Sequence, residues 1–181
     1  NILRCSPQWV TALAVLESGF GEIVCEEEQT GCVRVGPFIM VEGLVSNTAL
    51  AAVFTSLADG DIVTSSSAHW YAALLENVTV HGTLTPLVRQ AFHWGGNAQS
   101  LVPWLEHPLP DGVHIRRINQ EDARLLDAQS WSEGIFASYG SQKAFLARGL
   151  GYCLLHENQH VAVCLSFADS SAGVEIEVDT C

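Results

Sequence analysis

The last part of the chain alternates short apolar runs with polar turns. Three apolar runs occupy residues 151–155, 161–167 and 174–178. Runs of this length, bounded by turn residues, are typical of consecutive antiparallel strands. In the third run, Val174, Ile176 and Val178 share one face of the predicted strand and Glu175 and Glu177 share the other, because strand side chains alternate. The pattern predicts a three-stranded unit whose final strand carries two carboxylates on one face.

Residues 1–110 alternate between helical and strand periodicity. A helix capped by Ser6 begins at Pro7 and ends before Gly19, and a second helix is capped by Asn47. Strand patterns occupy residues 22–25, 31–35, 38–44, 61–64 and 87–94, and a third helical pattern occupies residues 67–77. This alternation favours a smaller α/β domain over residues 1–110.

Turn-forming residues are densest where three prolines precede Asp111 and Gly112, which predicts a domain boundary after residue 110. The pattern beyond this boundary consists of a strand at 113–118, a helix capped by Asn119, a helix that begins at Ser141, and the three closing strands. Gly149 has the position of a left-handed helix terminator. Residues 111–181 are therefore predicted to be α+β, with a mixed, mostly antiparallel sheet flanked by helices.

The composition excludes several classes of partner. The chain has 20 Asp and Glu residues against 8 Lys and Arg, and its formal net charge of -12 would repel a nucleic acid. No run reaches the roughly 20 apolar residues of a membrane span, and the start lacks the features of a signal peptide. The six cysteines form no C-x-x-C pair, which favours a reducing, cytoplasmic setting. A Cys25–Cys32 disulfide across a hairpin is the weaker alternative.

Both parts of the chain contain short motifs at positions where the members of one enzyme family have similar motifs. They are Ala14-Val15-Leu16-Glu17, Gly43 followed by Asn47, Gly140-Ser141 with Phe145-Leu146, Gly149, Gly151-Tyr152-Cys153, and Val174-Glu175-Ile176 with Thr180. With the element order after residue 111, they resemble a bacterial branch of the GNAT acyltransferases that carries an extra N-terminal domain. The resemblance implies that residues 111–181 are the first part of the acyltransferase domain, and that the chain stops at Cys181 before the R-x-x-G-x-G/A loop that holds the pyrophosphate of acetyl-CoA.

The resemblance implies an N-acetyltransferase that moves acetyl from acetyl-CoA to the amine of a small molecule. In the family the strand that corresponds to the final one here lies along the pantetheine, so the backbone of Val178, Asp179 and Thr180 is expected to bind acetyl-CoA. A base must take a proton from the attacking ammonium, and a carboxylate in a partly dry cleft is suitable. Glu175 is the preferred base because it matches the motif, and Glu177 is the second candidate.

The resemblance also suggests where the acceptor lies. Trp131 and Tyr139, between the two predicted helices of the second part, would border the acceptor cleft. No metal is expected for this chemistry. The sequence leaves a homodimer open.

Two other functions compete with this one. His156-Glu157-Asn158-Gln159-His160 is a literal H-E-x-x-H, which on a helix would place two imidazoles and a base for a zinc hydrolase. Because strand-like runs flank the motif, a hairpin turn is the favoured prediction, and the zinc site is the less favoured one. A non-catalytic binding or regulatory module of the same fold is the other alternative.

Overall fold

The computed structural model describes residues 10–81, 84–86 and 96–181. In the first part, helices and strands follow one another as α1 (Val10–Ser18), β1 (Glu22–Glu27), β2 (Thr30–Val35), β3 (Phe38–Gly43), α2 (Asn47–Ser56), β4 (Ile62–Thr64) and α3 (Ala68–His81). The described strands form a sheet in chain order, antiparallel except that β4 runs parallel to β3. The strand predicted at 87–94 and the helix start at Ser6 and Pro7 lie outside the described residues.

The second part has the predicted order of strand, two helices and three strands. Its elements are β5 (Val113–Arg117), α5 (Gln120–Asp127), α6 (Gln142–Arg148), β6 (Gly151–His156), β7 (Gln159–Ser170) and β8 (Gly173–Thr180), and the short helix α4 (Val102–Leu105) precedes them in the first part. The described strands β5 to β8 form one antiparallel sheet in chain order. The α+β class, with mixed and antiparallel sheets flanked by helices, is confirmed.

The helix ends follow from local capping chemistry. Asn119 caps α5 as predicted, because its Oδ1 accepts the N–H groups of Glu121 and Asp122 at 2.8 and 3.0 Å. The prediction of Asn47 as a cap was wrong by one residue, since Ser46 Oγ accepts the N–H of Ala49 at 3.0 Å.

The prediction of a left-handed Gly149 was also wrong. This residue ends α6 with φ -80° and ψ 164°, which is extended backbone. A Cβ at this position would collide with the Phe145 ring, so close packing of the chain against that ring requires the glycine.

One hydrophobic core joins elements from both parts of the chain. Val33, Val35 and Met40 of the first sheet belong to the same buried cluster as Phe145 and Phe167. Helix α1 lies inside this core and contacts β2, β7 and β8. A second cluster fills the other face of the first sheet, under α2 and α3.

The core that both parts of the chain share brings β3 of the first sheet close to β8 of the second. The shared core crosses residue 110, and the division into domains at that residue stays a prediction. No helix within the described ranges is long and apolar enough to span a membrane.

Candidate functional site

Strand β8 lies at an edge of the second sheet and turns its acids inward. Among the described strands it pairs only with β7. Val174, Ile176 and Val178 are 55%, 64% and 61% exposed, whereas Glu175 and Glu177 are only partly exposed. The two faces alternate as predicted, and the acids lie on the less exposed face.

A cleft of about 260 Å³ lies along this inner face. One wall is β8, from Glu175 to Asp179, and the facing residues are Phe38 and Met40 of β3 and Phe167 of β7. The rings of Phe38 and Phe167 contact edge to face, with centroids 5.3 Å apart and an interplanar angle of 85°. The cleft therefore combines three carboxylates on one side with an apolar, aromatic wall on the other.

A β-bulge in β7 orients the Phe167 side chain toward the aromatic wall of the cleft. Ser166 pairs with Ile176 and Ala168 pairs with Glu175, so Phe167 is the extra residue on β7. Bulges bend a strand and redirect side chains, and they are frequent beside functional sites. Phe167 is 7% exposed and packs in the shared core.

Helix α1 contributes a polar contact to the same site. The Oγ1 hydroxyl of Thr11, which is fully buried, donates a hydrogen bond to Oε2 of Glu175. The two residues are 164 positions apart in sequence. Sequence reasoning did not find Thr11, because a threonine inside an apolar helix gives no local signal of a distant partner.

The structure brings together some of the predicted site residues. Glu175, Glu177, Val178 and Asp179 all line the cleft, and Thr180 follows them at the exposed end of β8. The side chains of Ile176 and Val178 belong to the outer face by strand alternation, so their backbone forms part of the wall.

Trp131 and Tyr139 lie elsewhere and are not among the residues that line the cleft. The ring of Tyr139 packs between Phe20 and Phe145, at centroid distances of 5.0 and 5.3 Å, and burial raises the pKa of Tyr139. Trp131 is partly buried, and its Nε1–H donates to Gln129 Oε1 at 2.5 Å. Their role as substrate residues stays a prediction.

The H-E-x-x-H segment is a β-hairpin. His156 pairs with Gln159, and the two residues between them, Glu157 and Asn158, have φ of 51° and 65°. Positive φ at both positions is the mark of the two-residue turn that joins antiparallel strands. His156 is exposed and His160 is buried, so the helical zinc site is wrong and the predicted hairpin is confirmed.

His160 instead joins a buried network around Asp122. Its Nε2 lies 2.8 Å from Asp122 Oδ1, and Arg116 donates to both carboxylate oxygens at 2.5 and 3.2 Å. Asn119 N–H donates to Oδ2 at 3.2 Å. Burial on its own would raise the pKa of Asp122, but the hydrogen bonds from Arg116, His160 and Asn119 lower it below its ordinary value.

The side chains of Asp122, Cys153 and His160 are close enough to be considered as metal ligands. The carboxylate oxygens, however, already accept four hydrogen bonds, and the adjacent guanidinium of Arg116 would repel a cation. The Cys153 thiol donates to the Arg116 carbonyl at 3.7 Å, and burial raises its pKa, which opposes the thiolate that a metal needs. The donor set therefore fits a structural network that ties β5, α5 and β7 together.

Comparisons with known proteins agree with this architecture. The sequence model of the GNAT acetyltransferase family matches residues 4–181. Among solved structures, the chain is similar to a GCN5-related N-acetyltransferase-like protein from Streptococcus suis 89/1591, with 26% identity and a TM-score of 0.65, over 91% of this chain and 67% of that one. The comparison with curated proteins gives no match. Because the family match spans almost the whole sequence and the fold agrees with it, the chain belongs to the GNAT acetyltransferase family.

Proposed function

We propose that this protein transfers an acetyl group from acetyl-CoA to the primary amine of a small molecule, in the cleft between β3 and β8. Family membership supports an N-acetyltransferase at a general level. The observation that carries the finer proposal is the row of Glu175, Glu177 and Asp179, which faces an aromatic wall along a strand at the edge of the described sheet.

The edge of β8 away from β7 is the proposed binding surface for acetyl-CoA. In the described residues this edge has no neighbouring strand, and a strand edge presents main-chain N–H and C=O groups that pair with amides. The backbone of Val178, Asp179 and Thr180 would bind the pantetheine amides. Acetyl-CoA supplies the acetyl group as a reactive thioester.

Glu175 is the proposed general base. A primary amine is an ammonium at neutral pH and has no lone pair for attack until it loses a proton. A carboxylate has two oxygens with about four lone-pair sites, so the bond from Thr11 leaves room for that proton, directly or through one water. The new C–N bond then replaces the C–S bond, and CoA leaves as the free thiol.

The acceptor is proposed to be a small cation with an apolar part. No residue that lines the described cleft is basic, and the net charge of -12 raises the local concentration of cations. The rings of Phe38 and Phe167 and the side chain of Met40 would pack against methylene groups of the acceptor. Glu177 and Asp179 would orient its charge.

The test is amine-dependent release of CoA thiol by the complete gene product, followed with a thiol reagent. The probes are butylamine, 1,4-diaminobutane and benzylamine, each compared with its quaternary trimethylammonium counterpart. The quaternary compounds keep the charge but have no proton to lose, so they should inhibit competitively without releasing thiol. Thiol release that does not increase with any primary amine, despite acetyl-CoA binding measured by calorimetry, would overturn the proposal in favour of a binding module.

A further inference from the structure

We propose that Thr11 is a positioning residue for this reaction, whose hydroxyl fixes the carboxylate of Glu175 against helix α1. The inference rests on the proposed function, in which Glu175 is the base. It assigns a part in catalysis to a helix near the start of the chain, far in sequence from the strand that carries the acids.

The environment of Thr11 supports a specific contact. The buried residues of α1 are Thr11, Ala12, Leu13, Ala14 and Val15, so Thr11 is the one polar side chain among them. A buried hydroxyl is costly unless it has a hydrogen-bond partner. Its partner is Oε2 of Glu175, and the carboxylate of Glu175 is the proposed general base.

A second contact of α1 holds the turn of the same hairpin. Ser171, between β7 and β8, donates its N–H and its hydroxyl to the two carboxylate oxygens of Glu17 at 2.8 and 2.6 Å. Thr11 and Glu17 are separated by roughly 9 Å along the helix at 1.5 Å per residue. The hairpin therefore contacts the helix both at its turn and at Glu175.

This arrangement matters because Glu175 has a flexible side chain on a strand at the edge of the described sheet. A general base has to stay within about 0.5 Å of its productive position, which requires a contact that selects one rotamer. Strand pairing orients the backbone of Glu175, whereas within the described ranges the Thr11 hydroxyl is the contact that orients its carboxylate. Loss of the hydroxyl should therefore lower turnover and leave acetyl-CoA binding intact.

The test compares Thr11→Val, which keeps the shape but removes the hydroxyl, with Thr11→Ser, which keeps the hydroxyl. Thr30→Val is the matched control, because Thr30 is also buried and its hydroxyl donates to Leu44 O at 2.5 Å, away from the cleft. With the best primary amine as probe, Thr11→Val should lower kcat roughly 10- to 100-fold with an unchanged KM for acetyl-CoA. Thr11→Ser should restore kcat, and Thr30→Val should change stability without changing kcat.

The double variant with Glu175→Gln separates the two proposals. If Glu175 is the base, Glu175→Gln lowers kcat, and Thr11→Val has no further effect in that background. A Glu175→Gln variant with normal kcat overturns the proposed base, whereas a low kcat in Glu175→Gln with a normal kcat in Thr11→Val overturns only the positioning role. If no amine is turned over, the positioning role fails together with the proposed function. Thermal unfolding of wild type, Thr11→Val, Glu175→Leu and their double variant then tests the contact alone, because leucine cannot accept the Thr11 hydroxyl. Additive losses of Tm in that set would overturn the contact between Thr11 and Glu175.

Discussion

Replacement of Asp122 by Asn tests whether the buried network is structural. The carboxylate of Asp122 is fully buried and accepts hydrogen bonds from Arg116, His160 and the Asn119 N–H. Asparagine keeps the size of the side chain but removes its charge and replaces one acceptor oxygen by a donor. The variant therefore weakens the link of α5 to β5 and β7 without creating a cavity.

The expected loss of stability follows from the separate contacts. A hydrogen bond from His160 is worth about 1.5 to 3 kcal/mol with a charged acceptor and about 0.5 to 1.5 kcal/mol with the neutral oxygen of asparagine, so this contact loses about 1 kcal/mol. The capping contact to Asn119 is worth about 1 kcal/mol more. Arg116 contributes little, because its side chain is 44% exposed and solvent screens the ion pair. The sum is about 2 kcal/mol, which corresponds to a decrease in Tm of roughly 4 to 8 °C for a chain of this size.

The pH dependence gives a sharper test than the magnitude. The pKa of Asp122 is lowered in the folded state, so its contribution is present above the ordinary pKa of 3.8 and is lost as the pH falls through the folded pKa. The difference in unfolding free energy between wild type and Asp122→Asn should therefore be full at pH 7 and shrink below about pH 4.

The assay is urea unfolding followed by circular dichroism at several pH values. The control is Glu121→Gln, which removes an exposed acid from the same helix turn and its ion pair with Arg124. That control should cost less than about 1 kcal/mol. An Asp122→Asn variant as stable as the control, or a difference that does not change with pH, would refute the reasoning.

Three further predictions concern the hairpin, the cleft and the cysteines. His156→Ala should leave Tm unchanged, because His156 is exposed, and His160→Ala should lower Tm, because it removes the buried contact with Asp122. Elemental analysis should find less than one zinc per protein in the wild type and in both variants. Stoichiometric zinc in the wild type that is lost in His156→Ala would contradict the hairpin assignment. Phe167→Ala should cost about 3 to 5 kcal/mol in urea unfolding, because it removes a ring from the core, and a loss below about 1 kcal/mol would contradict its packing. Cys25 and Cys32 are free thiols on directly opposite residues, so the two-electron oxidant diamide should join them as a disulfide with loss of two hydrogens by mass spectrometry. Because burial and the neighbouring Cys25 raise the pKa of Cys32 to about 12, the reaction should accelerate with rising pH, and a rate independent of pH would contradict this assignment.

Features determined by neighbouring residues were predictable from the sequence. The alternation of β8, the Asn119 cap and the turn at Glu157 and Asn158 all depend on residues within a few positions of one another. Ser46 and Asn47 are both good capping residues, so their order could not be decided locally. The same local signals explain why the element order of the second part was correct.

Features determined by distant contacts were not predictable. The sequence of β8 shows two alternating faces but not which of them is buried. Apolar side chains usually lie inside a protein, yet in the described chain the acids face the cleft and Ile176 is 64% exposed. The contact of Thr11 with Glu175 spans 164 positions, and the contact of His160 with Asp122 spans 38. The packing of the Tyr139 ring between Phe20 and Phe145 also depends on distant residues, and the substrate role that the family resemblance implies for Tyr139 stays a prediction.

The most direct test of the central claim is the turnover of Glu175→Gln beside its matched control Glu177→Gln. Both substitutions remove one carboxylate from the same face of β8, so they change the charge of the cleft equally. If Glu175 is the general base, kcat for a primary amine should fall by about 10²- to 10⁴-fold in Glu175→Gln and much less in Glu177→Gln, with the Kd for acetyl-CoA unchanged in both. Normal turnover by Glu175→Gln would contradict the account.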